Sequence, residues 1–211
     1  MFFRLAPVDD RPAPPTFETP RLLLRTLQPD DQEFLADLDC DPDVMEFVHS
    51  GPLPRNEALK YAAAEIELAR YRWHLGKFIV ELREGGARIG WVELSIFDGV
   101  FDPDEKWMGD DVNLGFEFSK DHWGRGFASE AARAVLAHAF DTIHLDRVVA
   151  YTHKDNVRSA RLLERLGFQQ RRMRRRKDMD GQECRLFSLA APDWERESIT
   201  RARRSAALES S

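Results

Sequence analysis

One stretch of sequence decides the fold of this chain: Asp121-His122-Trp123-Gly124-Arg125-Gly126-Phe127-Ala128-Ser129-Glu130-Ala131. Gly124 and Gly126 allow the backbone of a turn to approach a bulky anion closely, because glycine has no Cβ. The amides of the turn and of the first helical turn would point at one spot, where the helix dipole adds partial positive charge. The stretch predicts an anion-binding turn, with an ordinary glycine turn as the alternative interpretation.

The residues on either side predict the elements that this turn joins. Before it, Val112–Ser119 alternates, with Phe116 and Phe118 on one face and Glu117 on the other, which is the period of a strand. After it, the segment from about Ala128 to Thr142 has an apolar stripe at helical spacing. The turn therefore leads from a strand into a helix.

Periodicity in the rest of the chain predicts the order β-α-α-β-β-β-α-β-α-β-β. The other predicted strands are Thr19–Arg25, Lys77–Glu84, Arg88–Phe97, Arg147–Thr152 and two after Phe168. The other predicted helices are Pro29–Leu38, Glu57–Leu75 and one that begins at Asn156 and ends before Gly167. Strands and helices alternate after three consecutive strands that are expected to be antiparallel. This order indicates an α/β (α+β) fold, with a mixed sheet and helices on both faces.

Length, charge and cysteine content exclude several classes of protein. The 211 residues fit one domain with modest tails, and the net charge of −6 argues against non-specific nucleic-acid binding. Cys40 and Cys184 lie far apart, and neither they nor the six histidines have metal-ligand spacing, so we expect no metal. No apolar run approaches the ~20 residues that span a bilayer, and the N-terminus lacks a secretory signal. We expect a soluble cytoplasmic protein without a membrane partner.

Composition shifts mark two tails and one basic run. Residues 1–16, with a proline cluster, are expected to be a flexible lead-in to a domain over residues 17–192. Residues 193–211 form a charged, alanine-rich tail that is either a peripheral helix or disordered. The basic run Arg171–Lys177 is interpreted as a solvated strand and hairpin. RNA binding is the alternative, but no aromatic residue is interleaved in the run for base stacking.

The anion-binding turn resembles the motif of one enzyme family. It lacks the Gly-Lys-Ser/Thr of a P-loop and the third glycine of a dinucleotide fold. It resembles the pyrophosphate-binding Gln/Arg-x-x-Gly-x-Gly/Ala motif of the GNAT superfamily of acetyltransferases, with Trp123 where Gln or Arg usually stands. That departure is typical of the branch resembling RimJ and RimL, the ribosomal-protein N-terminal acetyltransferases.

A second motif strengthens the resemblance. Asp155-Asn156-Val157-Arg158-Ser159 and the later Leu166-Gly167-Phe168 are similar to the family's Asn-x-x-Ser…Leu-Gly-Phe segment, and the match covers roughly Phe17 to Leu189. It implies a GNAT-like, mostly antiparallel sheet of seven strands, splayed between the fourth and fifth, and an acetyltransferase domain over residues 17–192. A homodimer is common among such proteins.

The resemblance also implies where acetyl-coenzyme A binds. It would lie between the Val112–Ser119 and Arg147–Thr152 strands, with its pyrophosphate on the amides from Gly124 to Ala128. The residues expected to contact it are Phe116, Phe118, Trp123, Gly124, Arg125, Gly126, Phe127, Ala128, Asn156 and Ser159.

Direct attack by an amine on the thioester needs a base and a stabilised leaving group. Ser159 is the candidate for hydrogen bonding to the departing sulfur. In the alternative interpretation, Asn156 only caps the helix and Ser159 only bonds to its backbone. Leu163 stands where some relatives have a tyrosine acid. The base is Glu117, Glu93 or a water chain, and strand glutamates are otherwise solvated or salt-bridged.

The acceptor is expected to be a primary amine, either a protein N-terminus or a small amine. Acidic residues between Asp98 and Asp111 weakly favour a cationic acceptor, and Trp107 is a candidate contact. The alternative function is a non-catalytic acetyl-coenzyme A or coenzyme A sensor or interaction module, which would keep the anion-binding turn without a working base. No specific nucleic-acid partner is expected.

Overall fold

The computed structural model of this chain describes residues 14–48, 51–71, 75–96, 111–175 and 181–209. Within them, one sheet has eight strands: β1 Phe17–Glu18, β2 Leu22–Thr26, β3 Gly76–Leu82, β4 Arg88–Ile96, β5 Val112–Phe118, β6 Arg147–His153, β7 Gln169–Arg175 and β8 Glu183–Ala190. Their order across the sheet is β1-β2-β3-β4-β5-β6-β8-β7. Every neighbouring pair is antiparallel except β5 and β6, which confirms the predicted mixed, mostly antiparallel sheet.

The described part of the sheet has one strand more than the seven predicted. Phe17 and Glu18 form an additional edge strand that pairs with Leu24 and Leu23 of β2. A strand of two residues has no alternation to detect, so its existence depends on the neighbouring strand rather than on its own pattern.

The described helices are α1 Gln32–Cys40, α2 Arg55–Ala69, α3 Phe127–Ala137, α4 Val157–Arg165 and α5 Ala191–Glu209. They cover both faces of the sheet, as predicted. On one face, α1 and α2 pack against Ile79 and Trp91. On the other, α3 and α4 pack against the larger core, which includes Leu24, Leu94 and Val148. None of the helices in these ranges is long and apolar enough to cross a membrane.

The C-terminal segment forms α5 and is anchored by one aromatic side chain. Trp194 is buried, stacks on Phe140 with 5.6 Å between ring centroids, and donates a hydrogen bond to Asp141 at 3.1 Å. The expected domain boundary at residue 193 therefore falls inside this helix. Of the expected N-terminal lead-in, residues 1–13 lie outside the described residues.

The sheet divides between β5 and β6. These parallel strands pair only through Val112 with Val148 and Asn113 with Val149, although both strands continue for several residues. The predicted splay is confirmed, and the carboxyl ends of both strands open onto it. β5 continues through a short 3₁₀ turn into α3, and β6 leads into α4.

A buried ion cluster holds the strands on the N-terminal side of this split. The Asp31 carboxylate is fully buried and accepts two hydrogen bonds from the Arg25 guanidinium, both 2.8 Å long. Arg25 also pairs with Glu81 at 2.6 Å, and Arg88 lies 2.9 Å from Asp31. These contacts join β2, β3, β4 and the 3₁₀ turn before α1, so the cluster fixes how α1 meets the sheet.

Replacing Asp31 with alanine should lower the free energy of unfolding by about 3 kcal/mol, because it leaves a buried guanidinium short of its partner. Urea denaturation of Asp31→Ala measures this loss. Asp37→Ala is the matched control on the same segment, since Asp37 pairs with the exposed Arg55 at the surface and should have a much smaller effect. Equal losses in the two variants would contradict a structural role for the buried cluster.

Candidate active site

The predicted anion-binding turn has the backbone geometry that such a site requires. Gly124 and Gly126 have φ angles of +73° and +82°, in the left-handed region that favours glycine. Gly126 is the N-cap of α3, and no side chain caps this end within the described residues. The first amides of α3 therefore remain available to an anion, with the helix dipole directed at it.

Trp123, which replaces the usual polar residue of the motif, links three elements. Its Nε1 donates a 2.7 Å hydrogen bond to the carbonyl oxygen of Phe118, at the end of β5. The Arg158 guanidinium of α4 lies over its ring, 4.5 Å from the centroid. The tryptophan thus fixes the turn to the end of β5 and places a cation from α4 beside it.

Two further guanidinium groups flank the same turn. Arg21 lies 4.5 Å and Arg125 lies 4.8 Å from the centroid of the Phe127 ring. Arg21 also donates to the Arg125 carbonyl at 3.0 Å and pairs with Glu130 at 2.6 Å. The sequence prediction included Arg125 but missed Arg21 and Arg158, because their proximity to the turn depends on the packing of β2 and α4.

A cavity of about 600 Å³ opens beside the split, within the size range of small-ligand sites. Of the predicted residues it brings together Glu117, Glu93, Phe116, Asn156 and Ser159. The residues of the anion-binding turn and Phe118 are outside its lining. In the part of the chain that the structure describes, no group of His, Cys, Asp and Glu side chains has the arrangement to hold a metal ion.

Glu117 has the properties of a general base. Its Oε2 atom is buried and accepts no hydrogen bond from the described residues. Burial raises the pKa of Glu117 to about 7; the charge of Lys77 opposes this shift, while Asp39 and Glu93 add to it. A base whose pKa lies near neutral pH is well matched to removing a proton from an ammonium group.

Glu93 also lines the cavity, but its surroundings differ from those of Glu117. In the sheet register it is opposite Lys77 on one side and Gly115 on the other. Ser95 Oγ donates to its Oε1 at 3.3 Å, and a Cβ on Gly115 would lie only 3.0 Å from that oxygen. The absence of a side chain at Gly115 therefore gives the Glu93 carboxylate room to extend over β5.

Several polar residues of the cavity were not predicted from the sequence, among them Lys77, Asp39 and Asn113. Lys77 Nζ lies 3.4 Å from Glu65, and although burial disfavours the ammonium, Glu93 and Glu65 raise its pKa. Burial raises the pKa of Asp39 to about 6. Asn113 Oδ1 is buried and, like Glu117 Oε2, accepts no hydrogen bond from the described residues.

The start of α4 lies at the cavity as expected. Asn156 caps the helix, because its side chain accepts a 3.0 Å hydrogen bond from the Ser159 amide. Both residues line the cavity, and the Ser159 hydroxyl makes no hydrogen bond within the described ranges. Leu163 is buried in the core. The capping interpretation of Asn156 is thus confirmed, whereas the role of Ser159 stays a prediction.

The role of the expected acidic loop in acceptor binding stays a prediction. Residues 97–110, including Trp107, lie outside the described residues. Asp111 is held by Arg147 through hydrogen bonds of 2.8 and 2.9 Å. The carboxylates that line the cavity come instead from α1, α2, β4 and β5: Asp39, Glu65, Glu93 and Glu117.

The sheet thus opens between two parallel strands, with the N-terminus of α3 on one side and a cavity that contains the buried Glu117 carboxylate beside it. Residues 21–169 match the family described as the acetyltransferase (GNAT) domain, and the chain belongs to that family. It is an acetyl-coenzyme A-dependent N-acetyltransferase.

Individual relatives agree with this assignment. An uncharacterized N-acetyltransferase, p20, of Bacillus licheniformis is 26% identical over 154 residues, covering 73% of this chain and 82% of the relative. The [ribosomal protein uS5]-alanine N-acetyltransferase of Escherichia coli is 32% identical, but the match covers only 47% of this chain and 60% of that enzyme. A crystal structure of an acetyltransferase from Agrobacterium tumefaciens has a TM-score of 0.67 at 25% identity, covering 85% of this chain and 96% of that one.

Gly126→Glu should abolish the rise in melting temperature that acetyl-coenzyme A causes, because it adds a side chain and a negative charge where the pyrophosphate belongs. Gly85→Glu is the matched control. Gly85 has the same φ of +82°, and a Cβ there would have no neighbour within 4 Å. Thermal shift of both variants separates the strain of a left-handed glutamate from loss of the anion site. An intact ligand response in Gly126→Glu would remove the assignment.

Glu117→Gln should lower the rate by ~10²–10⁴-fold at neutral pH. If the ionised carboxylate is the base, kcat/KM of the unmodified enzyme rises with pH through about 7, the pKa of Glu117, and is level above it. The variant should lack this acidic limb. Glu93→Gln is the control and should keep the limb. If both variants retain the wild-type rate and profile, neither glutamate is the base.

Proposed function

We propose that this enzyme acetylates a cationic primary amine by direct attack on the thioester, with Glu117 as the general base. The observation that carries the proposal is the buried, unpartnered Glu117 oxygen in a cavity beside the split in the sheet. The carboxylate is near its protonation midpoint at neutral pH, so it is suited both to accept a proton and to release it after each turnover.

The donor would extend from the anion-binding turn along the split. Its pyrophosphate would lie on the N-terminus of α3, with Arg21, Arg125 and Arg158 nearby. The pantetheine arm would follow β5 past Asn113, where pairing with β6 has ended. Phe116 lines the cavity at this part of the strand, so the thioester would reach the cavity from the split.

The acceptor would enter the cavity as an ammonium ion, attracted by carboxylates. Glu117 takes one proton from it, and the freed nitrogen lone pair attacks the thioester carbon. A carbon–nitrogen bond forms, the carbon–sulfur bond breaks, and the thiolate leaves with a hydrogen bond from Ser159. The nitrogen loses its second proton to the departing sulfur, so the products are the amide and coenzyme A, and Glu117 releases the first proton to solvent.

Glu93 is better suited to bind a cation than to transfer a proton. It lies opposite Lys77 and accepts a hydrogen bond from Ser95, whereas Glu117 has an oxygen without a partner among the described residues. The non-catalytic sensor loses support for the same reason, because a sensor needs no base. Neither Cys40 nor Cys184 forms a disulfide within the described residues, which suits a reaction in the reducing cytoplasm.

The acceptor is proposed to be a protein N-terminus or a small amine. The uS5-alanine N-acetyltransferase of Escherichia coli supports the first choice and the RimJ/RimL-like branch, over the part of the chain that it matches. A panel of N-terminal peptides and small amines, followed by thiol release and mass spectrometry, tests the proposal. Thiol release with one acceptor class identifies it, and absence of release across the whole panel would contradict a catalytic role.

Ser159→Ala should lower the single-turnover rate roughly tenfold while acetyl-coenzyme A affinity stays near normal, because a bond to the departing thiolate strengthens only as charge develops. Thr200→Ala, which removes a helical hydroxyl bonded to the Arg196 carbonyl, is the matched control. Melting temperature, affinity and rate are measured on each preparation. A lower melting temperature with full single-turnover activity would leave Ser159 a purely structural role.

A further inference from the structure

The Lys77 ammonium group occupies a cage built from one carboxylate and two aromatic faces. Nζ lies 3.4 Å from Glu65 Oε2 and 4.1 Å from the centroid of the Trp91 ring, and the Tyr61 ring is 5.8 Å away. The lysine side chain is only 9% exposed. The cage is assembled from α2, β3 and β4, and all four residues line the cavity.

A cage of this composition is what a protein uses to bind a ligand ammonium. Aromatic faces attract the cation through their quadrupoles, and a carboxylate adds direct charge pairing. Here the cation is supplied by the chain itself. β3 and β5 are two strands apart, a backbone separation of roughly 10 Å. Lys77 and Glu117, on these two strands, both project into the cavity, so a single short ligand could reach both positions.

We infer that Lys77 fills the position where the second ammonium of a diamine would bind, and thereby restricts the acceptor to amines with a single positive charge. The inference rests on the proposed function, because it assumes that the reacting amine lies at Glu117. Lys77 already supplies one positive charge to the carboxylates of the cavity, because its ammonium pairs with Glu65 and Glu93 lies opposite it in the sheet. A second ammonium at the far end of the acceptor would meet the Lys77 charge instead of a carboxylate.

Matched pairs of linear amines test this restriction. n-Butylamine and 1,4-diaminobutane differ by one terminal ammonium, and so do n-hexylamine and 1,6-diaminohexane, which cover two spacings. Their affinities for the full chain saturated with coenzyme A are measured by calorimetry. The wild-type protein should bind each diamine no better than its monoamine.

Lys77→Met removes the ammonium from the cage and should shift the preference toward the diamine by about tenfold, the effect of one cation–aromatic contact. Lys77→Arg keeps the positive charge and should keep the wild-type preference. Lys60→Met removes an exposed lysine of α2 and is the matched control. A retained thermal shift with coenzyme A verifies folding, and Lys77→Gln is a second neutral variant in case the methionine variant fails this check.

Three results would overturn the inference: a wild-type preference for the diamine, an unchanged ratio in the neutral variants, or no binding of either amine to them. In the last two cases Lys77 is only a structural ion-pair partner. Because affinity is measured without turnover, these results are separate from failure of the proposed function, which appears as absence of thiol release across the acceptor panel.

Discussion

The functional architecture depends on one interruption of hydrogen bonding, the parting of β5 and β6 after two paired positions. Both strands are parallel, and each leads at its carboxyl end toward a helix. The N-terminus of α3, capped by Gly126, and that of α4, capped by Asn156, therefore lie at the same opening. Trp123 connects them, since it binds the end of β5 through its indole nitrogen and the Arg158 guanidinium through its ring.

The cavity beside the split is lined by buried groups of both charges. Four carboxylates, from Asp39, Glu65, Glu93 and Glu117, surround the single ammonium of Lys77 among the described lining residues. Burial alone favours the neutral carboxylic acid, and the lysine limits that shift for Glu117. The same lysine is held charged by its acidic neighbours. The protonation of Glu117 is therefore a property of the whole cluster.

Sequence patterns correctly predicted the features that depend only on residues close together in the chain. The alternation in β5, the glycines of the turn and the cap at Asn156 all act over a few neighbouring residues, and each was predicted. The edge strand β1 was missed because Phe17 and Glu18 carry no pattern of their own. Arg21 and Lys77 were missed because nothing near them in sequence marks them as functional, and their partners Phe127 and Glu65 belong to other elements.

The sequence by itself determined the fold class, the glycine turn before α3 and the group of candidate residues, because these follow from periodicity, backbone freedom and motif spacing. Only the tertiary structure distinguished Glu117 from Glu93. Both are strand glutamates, but one has a buried oxygen without a partner among the described residues and the other lies opposite a lysine. The difference arises through space, because the pKa of a carboxyl group is set by the burial and charges that other strands and helices bring to it.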